Sequence, residues 1–258
     1  MSEATIHVAV TAWIRCECAR ITLESFWRHN RIHDFKLWFG LDGGQEAHQA
    51  GQMLELFAAY GFEPVVIERE NVGAARLTDH LIWAVSQRVR RTEDDLVLLL
   101  QDDWECVRPI PIGTIRELFG VLSPEFLRGV GDVRRGADAS AGEIGSVWLY
   151  GRFRERDEKG QPIRPVGTRH EGLHGNPPII WTPAMISGEQ VKFGRAYWAH
   201  PPAVTRLDLA VKLTRGARDE KESFARSGRM DFLTAWLQDP VFWHIGRQSC
   251  WRDMGGKR

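Results

Sequence analysis

Apolar positions in the first 110 residues follow two alternating spacings. Uninterrupted apolar runs are typical of buried strands, and segments with an apolar residue at every third or fourth position are typical of helices with one buried face. The strand-like runs occupy 6–10, 35–41, 64–67 and 96–100. The helix-like segments between them carry the apolar pairs Leu23 and Phe26, Met53 and Phe57, and Leu77 and Leu81. This alternation predicts a doubly wound α/β sheet, with its fourth strand parallel and buried on both faces.

The second half of the chain is less regular. Pro109 and Pro111 interrupt it, and Tyr150–His170 is a polar stretch with more Lys and Arg than Asp and Glu. Polar segments of that length are usually functional or mobile loops, so we predict a long surface loop or hairpin there. Apolar spacing predicts three short helices and one last strand, at 112–119, 207–213, 230–237 and 241–245. Since no repeat or linker divides the chain, we expect one domain over residues 1–258.

Composition and charge exclude several classes of protein. The 258 residues include 34 Lys and Arg and 34 Asp and Glu, and the resulting zero net charge argues against a protein that binds polyanions through bulk charge. With 43% hydrophobic and 26% charged residues, the chain is neither fibrous nor disordered. Its four cysteines are too few for a disulfide framework, and the spacing of Cys16 and Cys18 matches no common zinc motif. No apolar run is long enough to span a membrane and no signal peptide is visible, so we expect a cytoplasmic protein.

Polar or glycine-rich residues follow each of the four predicted strands, at 11–15, 42–44, 71–73 and 102–105. Because ligands of open α/β sheets bind beyond the carboxyl ends of the strands, these segments form the candidate site. Its most distinctive part is Gln101-Asp102-Asp103, which directly follows an apolar run. A divalent cation that bridges to a diphosphate needs only one or two protein carboxylates. A solvated acidic turn or a helix N-cap explains the same residues, so both interpretations stay open at this point.

Three further segments carry candidate ligand contacts. Asp42, followed by two glycines, is placed to accept hydrogen bonds from a nucleoside, although an Asp-Gly pair also marks ordinary turns. Asn71, Gly73 and Arg76 begin a predicted helix whose N-terminus suits an anion, although an Asn cap with small packing residues explains the same pattern. His244 lies in an apolar segment and is either a metal ligand or a buried structural histidine.

Taken in order, these segments resemble the nucleotide-sugar-dependent glycosyltransferases of the GT-A fold, in particular the inverting family-two type. The resemblance rests on Val8–Arg15, Leu41–Gly44, Asn71–Gly73 and Leu98–Trp104, with a weaker similarity at Phe242–Gly246. It implies one GT-A-like (Rossmann-like) α/β domain with a mixed, mostly parallel sheet flanked by helices. Residues 1–110 would be its nucleotide-sugar-binding half and residues 111–258 its acceptor-side half.

The resemblance also implies roles for individual residues. Family members hold the metal ion on the donor diphosphate through an Asp-X-Asp motif, and the matching triplet in this chain departs from that pattern because it begins with Gln101. Asp103 then matches the metal ligand, Asp102 the inner position near the ribose or a water, and His244 a second, C-terminal ligand. The implied ion is Mn²⁺ or Mg²⁺. The nucleotide-binding residues expected beside Asp102 are Thr11, Trp13, Arg15, Asp42, Asn71, Gly73 and Arg76.

An inverting transfer also needs a carboxylate base that takes the proton of the acceptor hydroxyl. The family places this base ahead of the C-terminal histidine, where Asp219, Glu220 and Glu222 are the candidates. We prefer Glu222, because it begins a plausible helix that reaches to Arg226.

The activity that the resemblance implies is metal-assisted, inverting transfer of a sugar from a nucleotide-diphosphate donor to an acceptor hydroxyl. A saccharide, a lipid-linked sugar, a protein or a modified nucleic-acid base would serve as acceptor, and the basic excess in Tyr150–His170 favours an anionic one. One alternative is a sugar-phosphate nucleotidyltransferase, which usually needs a glycine-rich basic loop after the first strand, whereas Ala12–Arg15 has no glycine. Another is a non-catalytic carbohydrate- or nucleotide-sugar-binding protein, which Gln101 permits.

Overall fold

The computed structural model describes residues 5–13, 15–43, 47–89, 95–120, 143–151, 182–194, 202–227, 229–230 and 232–245. Within these ranges, the helices are α1 (Cys16–Asn30), α2 (Ala47–Ala59), α3 (Ala74–Arg88), α4 (Ile112–Phe119), α5 (Leu207–Thr214) and α6 (Glu220–Ser227). The strands are β1 (Ile6–Ala12), β2 (Lys36–Leu41), β3 (Glu63–Ile67), β4 (Leu96–Gln101), β5 (Trp104–Cys106), β6 (Glu143–Trp148), β7 (Tyr150–Gly151), β8 (Thr182–Ile186), β9 (Glu189–Gly194), β10 (Ala203–Arg206), β11 (Phe232–Leu237) and β12 (Phe242–His244).

A nine-stranded sheet in the order β3-β2-β1-β4-β10-β6-β11-β9-β8 forms the centre of the described structure. Its first four strands are parallel, and β6 and β11 are parallel to each other. The remaining neighbours, from β4 to β10 to β6 and from β11 to β9 to β8, run antiparallel. Because β1 lies between β2 and β4, the loop after β1 meets the ends of both neighbours at one edge of the sheet.

Each face of the sheet is covered by helices, as strands that are buried on both faces require. Val8 and Val10 of β1 pack with α1 and α2 in one apolar cluster. Ala9, between them in the sequence, faces α3 and α5 in a second cluster. The continuous apolar run of β4 divides in the same way, since successive side chains of a strand point to opposite faces. The fold is therefore an α/β fold with a mixed sheet between helices, as the sequence predicts.

A second, three-stranded sheet in the order β5-β12-β7 lies beside α1. Two side-chain hydroxyl groups of α1 accept hydrogen bonds from β5. The Trp104 N–H donates to Thr22 Oγ1 (3.1 Å), and the Cys106 N–H donates to Ser25 Oγ (2.9 Å). β12 pairs antiparallel with β5, so that His244 lies opposite Trp104. The small sheet thus places His244 beside the segment that follows β4.

Most of the predicted elements are confirmed. Strand and helix alternate through the first half, and the left-handed conformation of Gly61 (φ 78°) follows α2 as a helix-ending glycine does. The predicted helix at 230–237 is wrong, because Phe232–Leu237 is the strand β11. A short, mostly apolar run has no clear periodicity that separates helix from strand, and this one pairs with β6 and β9. Most of the loop predicted at Tyr150–His170 lies outside the described residues.

Two further observations concern membrane-spanning helices and the cysteines. Within the described residues, no helix is both long and apolar enough to cross a bilayer. Cys16 and Cys106 are free thiols, and the buried Cys18 is disulfide-bonded. A disulfide is unusual in the cytoplasmic compartment that is expected from the sequence.

Asn30 offers a test of how α1 holds the segment after β5. Its buried amide donates to the Phe26 carbonyl (3.0 Å) and accepts from the Ile110 N–H (2.9 Å). Asn30→Ala leaves the Ile110 N–H buried without this acceptor, so we expect a loss of about 1–3 kcal/mol in the free energy of unfolding, measured by urea denaturation. The exposed neighbour Arg28→Ala should stay within about 0.5 kcal/mol of wild type. Equal losses of unfolding free energy in the two variants would contradict the role of Asn30 as acceptor for the Ile110 N–H.

Candidate functional site

The segments that follow β1, β2, β3 and β4 meet in one cleft of about 340 Å³. The cleft is lined by Thr11, Ala12, Trp13, Arg15, Asp42, Asn71, Gly73, Ala74, Leu77, Gln101, Asp102 and Asp103. All four polar segments singled out in the sequence thus contribute to a single concave surface. Ile14 and Gly44 lie outside the described residues.

Hydrogen bonds join the ends of the neighbouring strands β2, β1 and β4. The Asp102 N–H donates to the Thr11 carbonyl (3.0 Å), and the Asp42 N–H donates to the Ala12 carbonyl (2.9 Å). The Trp13 N–H in turn donates to Asp102 Oδ2 (2.8 Å). These bonds extend the sheet pairing past the last ladder residues, so the cleft floor is as fixed as the strands that lead to it.

Arg15 bridges the two acidic residues that follow β4. One terminal nitrogen of its guanidinium lies 2.6 Å from Asp103 Oδ2, and the other contacts Asp102 Oδ1. Asp102 is 1% exposed and Asp103 4%, whereas the Arg15 side chain is 24% exposed. The cation therefore contacts two buried carboxylates, and their burial excludes the solvated acidic turn as an explanation of the motif.

Burial and charge act in opposite directions on this cluster. Burial raises the pKa of Asp102 from 3.8 to about 6, against the lowering effect of Arg15. Burial also raises the pKa of Asp103, but the hydrogen bond to His244 and the charge of Arg15 outweigh it, so that pKa lies below its ordinary value. Burial lowers the pKa of Arg15, but the two carboxylates more than offset this effect and the net shift is upward. Arg15 and Asp103 are thus a charged pair at neutral pH.

His244 contacts Asp103 from the small sheet. Its Nε2 lies 3.1 Å from Asp103 Oδ2, and the Ile245 N–H donates to the Asp103 carbonyl (2.9 Å). Asp103 Oδ1 is buried and has no hydrogen-bond partner among the described residues. One carboxylate and one imidazole suit a divalent ion that takes its other ligands from phosphate and water. The described residues contain no group of three or more His, Cys, Asp or Glu side chains that could hold a metal ion.

Asp42 has a clear structural role in the cleft wall. Its carboxylate accepts hydrogen bonds from the backbone N–H groups of Gly43 (3.0 Å), Val72 (2.8 Å) and Gly73 (3.1 Å). It therefore fixes the segment between β3 and α3 against the end of β2. Asp42 also lines the cleft, so a contact with a nucleoside is compatible with this structural role and stays a prediction.

The start of α3 forms another part of the cleft wall. Gly73 adopts a left-handed conformation (φ 79°), and its N–H also donates to Asn71 Oδ1 (3.1 Å). Both residues line the cleft together with Ala74, the first residue of α3. Arg76 is exposed and is not among the lining residues. The structure therefore brings Asn71 and Gly73 to the candidate site but leaves Arg76 outside it.

The candidate bases lie away from the described cleft lining, on and before α6, which packs on α5. Glu222 accepts the Arg218 N–H (3.0 Å) and pairs with Arg226 (2.8 Å), and the hydrogen bonds from these two residues lower its pKa to about 2. Asp219 accepts the Glu222 N–H (2.9 Å) as a helix cap does. The side chain of Glu220 is outside the described residues. Their role as bases stays a prediction, and the surroundings of Glu222 do not favour it.

Sequence reasoning missed the direct pairing of Arg15 with Asp102 and Asp103. It assigned Arg15 to the nucleotide loop and the carboxylates to ribose and metal, and did not relate them to one another. The relation depends on the strand order, because a basic residue after β1 and two acidic residues after β4 become neighbours only when β1 and β4 are adjacent in the sheet.

Comparison with known proteins supports the fold and not a specific activity. No model of a known protein family matches the sequence, and a search of curated proteins found no match. Among solved structures, the mannosyltransferase PcManGT from Pyrobaculum calidifontis, in complex with GDP-Man and Mn²⁺, is similar with a TM-score of 0.51 and 12% identity, over 98% of this chain and 61% of that one.

Two other solved structures are similar at lower TM-scores. TarS from S. aureus gives 0.46 at 11% identity, over 97% of this chain and 38% of that one. A 4-diphosphocytidyl-2C-methyl-D-erythritol synthase gives 0.43 at 14% identity, over 88% of this chain and 86% of that one. The chain thus spans less than two thirds of the length of TarS and of the mannosyltransferase. It has a GT-A-like fold, as the resemblance implied.

Gly43→Ala tests the close contact between the β2 end and the β3–α3 segment. A Cβ at Gly43 would overlap the backbone of Arg69 and Glu70, so the backbone must move. We expect a loss of about 1–3 kcal/mol in the free energy of unfolding, measured by urea denaturation. Gly51→Ala is the matched control, because Gly51 lies inside α2 with open space around its Cβ, and it should be stabilising by about 0.5–1 kcal/mol. A neutral Gly43→Ala would contradict the close packing.

Asp102→Asn tests the buried carboxylate by its pH dependence. Because the pKa of Asp102 is higher in the folded state, its stabilising contribution is complete below pH 3.8 and is lost as the pH rises through about 6. The free energy of unfolding of wild type should therefore fall, relative to that of the variant, on the order of 2–3 kcal/mol across this window. Urea denaturation of both proteins at several pH values measures the difference. If the difference in unfolding free energy between wild type and variant did not change with pH, the raised pKa of Asp102 would be contradicted.

Proposed function

We propose that this protein is a glycosyltransferase that uses a nucleotide-diphosphate sugar as donor and an acceptor hydroxyl as the second substrate. The observation that carries the proposal is the position of Arg15, Asp102, Asp103 and the first turn of α3 in one cleft. This cleft lies beyond the carboxyl ends of parallel strands, where nucleotide ligands of such sheets bind. PcManGT, which shares the fold, binds GDP-Man and Mn²⁺.

The diphosphate is expected at the side of the cleft that offers positive groups. Arg15 supplies a guanidinium, whose paired N–H donors match phosphate oxygens, and α3 supplies its N-terminal backbone N–H groups. The Asp42 carboxylate holds Val72 and Gly73 in place through their N–H groups. The nucleoside would lie against Thr11 and the remaining cleft-lining residues, including Trp13.

The Asp103 carboxylate and the His244 imidazole would hold the divalent ion. Asp103 has a buried oxygen without a described partner, and His244 is fixed beside it by β12. A bound Mn²⁺ or Mg²⁺ would act as a Lewis acid on the leaving diphosphate. Arg15 would add a second positive charge near the same leaving group, and stabilisation of developing negative charge is a large part of catalysis in this class of chemistry.

An inverting course requires a base near the acceptor hydroxyl. A carboxylate with a pKa of about 2 is a weak proton acceptor at neutral pH, and both oxygens of Glu222 already accept hydrogen bonds. We therefore expect Glu222→Gln to keep most of the transfer activity. The acceptor itself is proposed only as a hydroxyl compound, since most of Tyr150–His170 lies outside the described residues.

The decisive test compares two aspartates in donor binding and turnover. Asp103→Asn should lower the affinity for UDP- or GDP-sugars in the presence of Mn²⁺ by about tenfold, and lower donor turnover by about 10²-fold or more, because it removes the expected ligand of the ion. Asp208→Asn is the matched control, since Asp208 is exposed on α5 and pairs locally with Lys212. Calorimetric titration measures binding, and chromatographic release of UDP or GDP measures turnover.

Three outcomes of this test are distinguishable. Unchanged binding and turnover in Asp103→Asn would contradict the site. Donor binding without any turnover in wild type would favour the non-catalytic binding protein. If the protein is given a nucleoside triphosphate and a sugar phosphate in place of the nucleotide sugar, release of pyrophosphate from the triphosphate would favour the nucleotidyltransferase.

A further inference from the structure

The acidic pair is already neutralised by a side chain of the chain itself. Asp102 and Asp103 are adjacent and almost fully buried, and the Arg15 guanidinium contacts both of them. A buried carboxylate without a counter-charge is strongly destabilising, so Arg15 has a clear role in the protein before any ligand arrives.

The same contact competes with a metal ion. Asp103 Oδ2 lies 2.6 Å from Arg15 and 3.1 Å from His244 Nε2, so the expected metal ligand shares one oxygen between a cation and an imidazole. Its other oxygen is buried without a described partner. A divalent ion at Asp103 would meet the positive charge of Arg15 at contact distance, and like charges this close repel strongly.

Arg15 also has an alternative anion within reach. It lines the cleft and is the most exposed member of the cluster, at 24% against 1% and 6% for the side chains of Asp102 and Asp103. A guanidinium pairs with phosphate as well as with carboxylate, because its paired donors match both. A diphosphate in the cleft would therefore compete with Asp103 for Arg15.

We propose that Arg15 is a resident counter-ion that occupies the acidic pair in the nucleotide-free protein and moves to the diphosphate of the donor, so that nucleotide and divalent ion bind cooperatively. The nucleotide part of this inference rests on the proposed function, and the nucleotide-free part does not. The alternative is a permanent salt bridge that only stabilises the fold, and it predicts no gain in metal binding when Arg15 is removed.

The first experiment measures Mn²⁺ binding without nucleotide, from the electron paramagnetic resonance signal of free Mn²⁺. Arg15→Gln removes the competing charge, so its Mn²⁺ affinity should rise about tenfold over wild type. Arg15→Lys keeps the charge but not the paired donors, so its affinity should fall between the two. Arg76→Gln is the matched control, because Arg76 is exposed, lies on the first turns of α3 and does not line the cleft. Its Mn²⁺ affinity should equal that of wild type.

Two variants make this result decisive. Asp103→Asn in the Arg15→Gln background should abolish the gain, because the gained ion binds at Asp103. A gain of the same size in Arg76→Gln would overturn the inference, since it would reflect general surface charge. No gain in a folded Arg15→Gln would also overturn it and would leave the donor-binding proposal intact.

A second experiment uses wild type alone and does not depend on the folding of a variant. The thermal midpoint should change little with Mn²⁺ alone, rise with UDP or GDP, and rise by more than the sum of both shifts when they are added together. Uridine or guanosine with Mn²⁺ should show no such excess, because they carry no diphosphate. A full shift with Mn²⁺ alone would overturn the counter-ion role. If neither nucleotide binds under any condition, the proposed function fails, and the nucleotide-free Mn²⁺ titration still decides the role of Arg15.

Discussion

Two carboxylates on consecutive residues, both almost excluded from water, are the constraint on which the arrangement of the cleft depends. Burial of ionised carboxylates is costly unless charge and hydrogen bonds compensate. In this cleft the Trp13 N–H and the Arg15 guanidinium compensate Asp102, and Arg15 and His244 compensate Asp103. The compensating groups come from the loop after β1 and from β12, so the pair joins segments that are distant in the sequence.

The strand order explains why the loop after β1 has this role. β1 lies between β2 and β4, so its carboxyl end is adjacent to the ends of both. The Thr11 and Ala12 carbonyls accept N–H groups from Asp102 and Asp42, one from each side. The next residues of the loop are then directed across the end of β4. A basic residue shortly after β1 can reach the acidic pair only because the sheet places these two strands side by side.

The parts of the structure that the sequence predicts are those governed by local pattern. Strand and helix alternation and the four polar strand ends follow from apolar periodicity, and all of them are found. The error at Phe232–Leu237 comes from a run whose state is decided by pairing partners and not by spacing. The pairing of Arg15 with both aspartates and the approach of His244 depend on contacts across the sheet, which no local pattern encodes. The ion pairs of Glu222 with its helix neighbours were within reach of spacing rules, because Arg218 and Arg226 are each four residues away.

The proposed function requires the cleft to accept an anion, even though three of its lining residues are aspartates. A count of formal charges sets Arg15 against Asp42, Asp102 and Asp103 and would predict repulsion of a diphosphate. The geometry changes that conclusion. The Asp42 carboxylate accepts hydrogen bonds from three backbone N–H groups. Asp102 and Asp103 are buried, and the Arg15 guanidinium contacts both of them. The positive groups that line the cleft are then the partly exposed Arg15 side chain and the N-terminus of α3, and both attract phosphate. One oxygen of Asp103 is buried without a described partner, so under the proposed function we expect a ligand that brings both a polyanion and a divalent ion to bind better than either component alone.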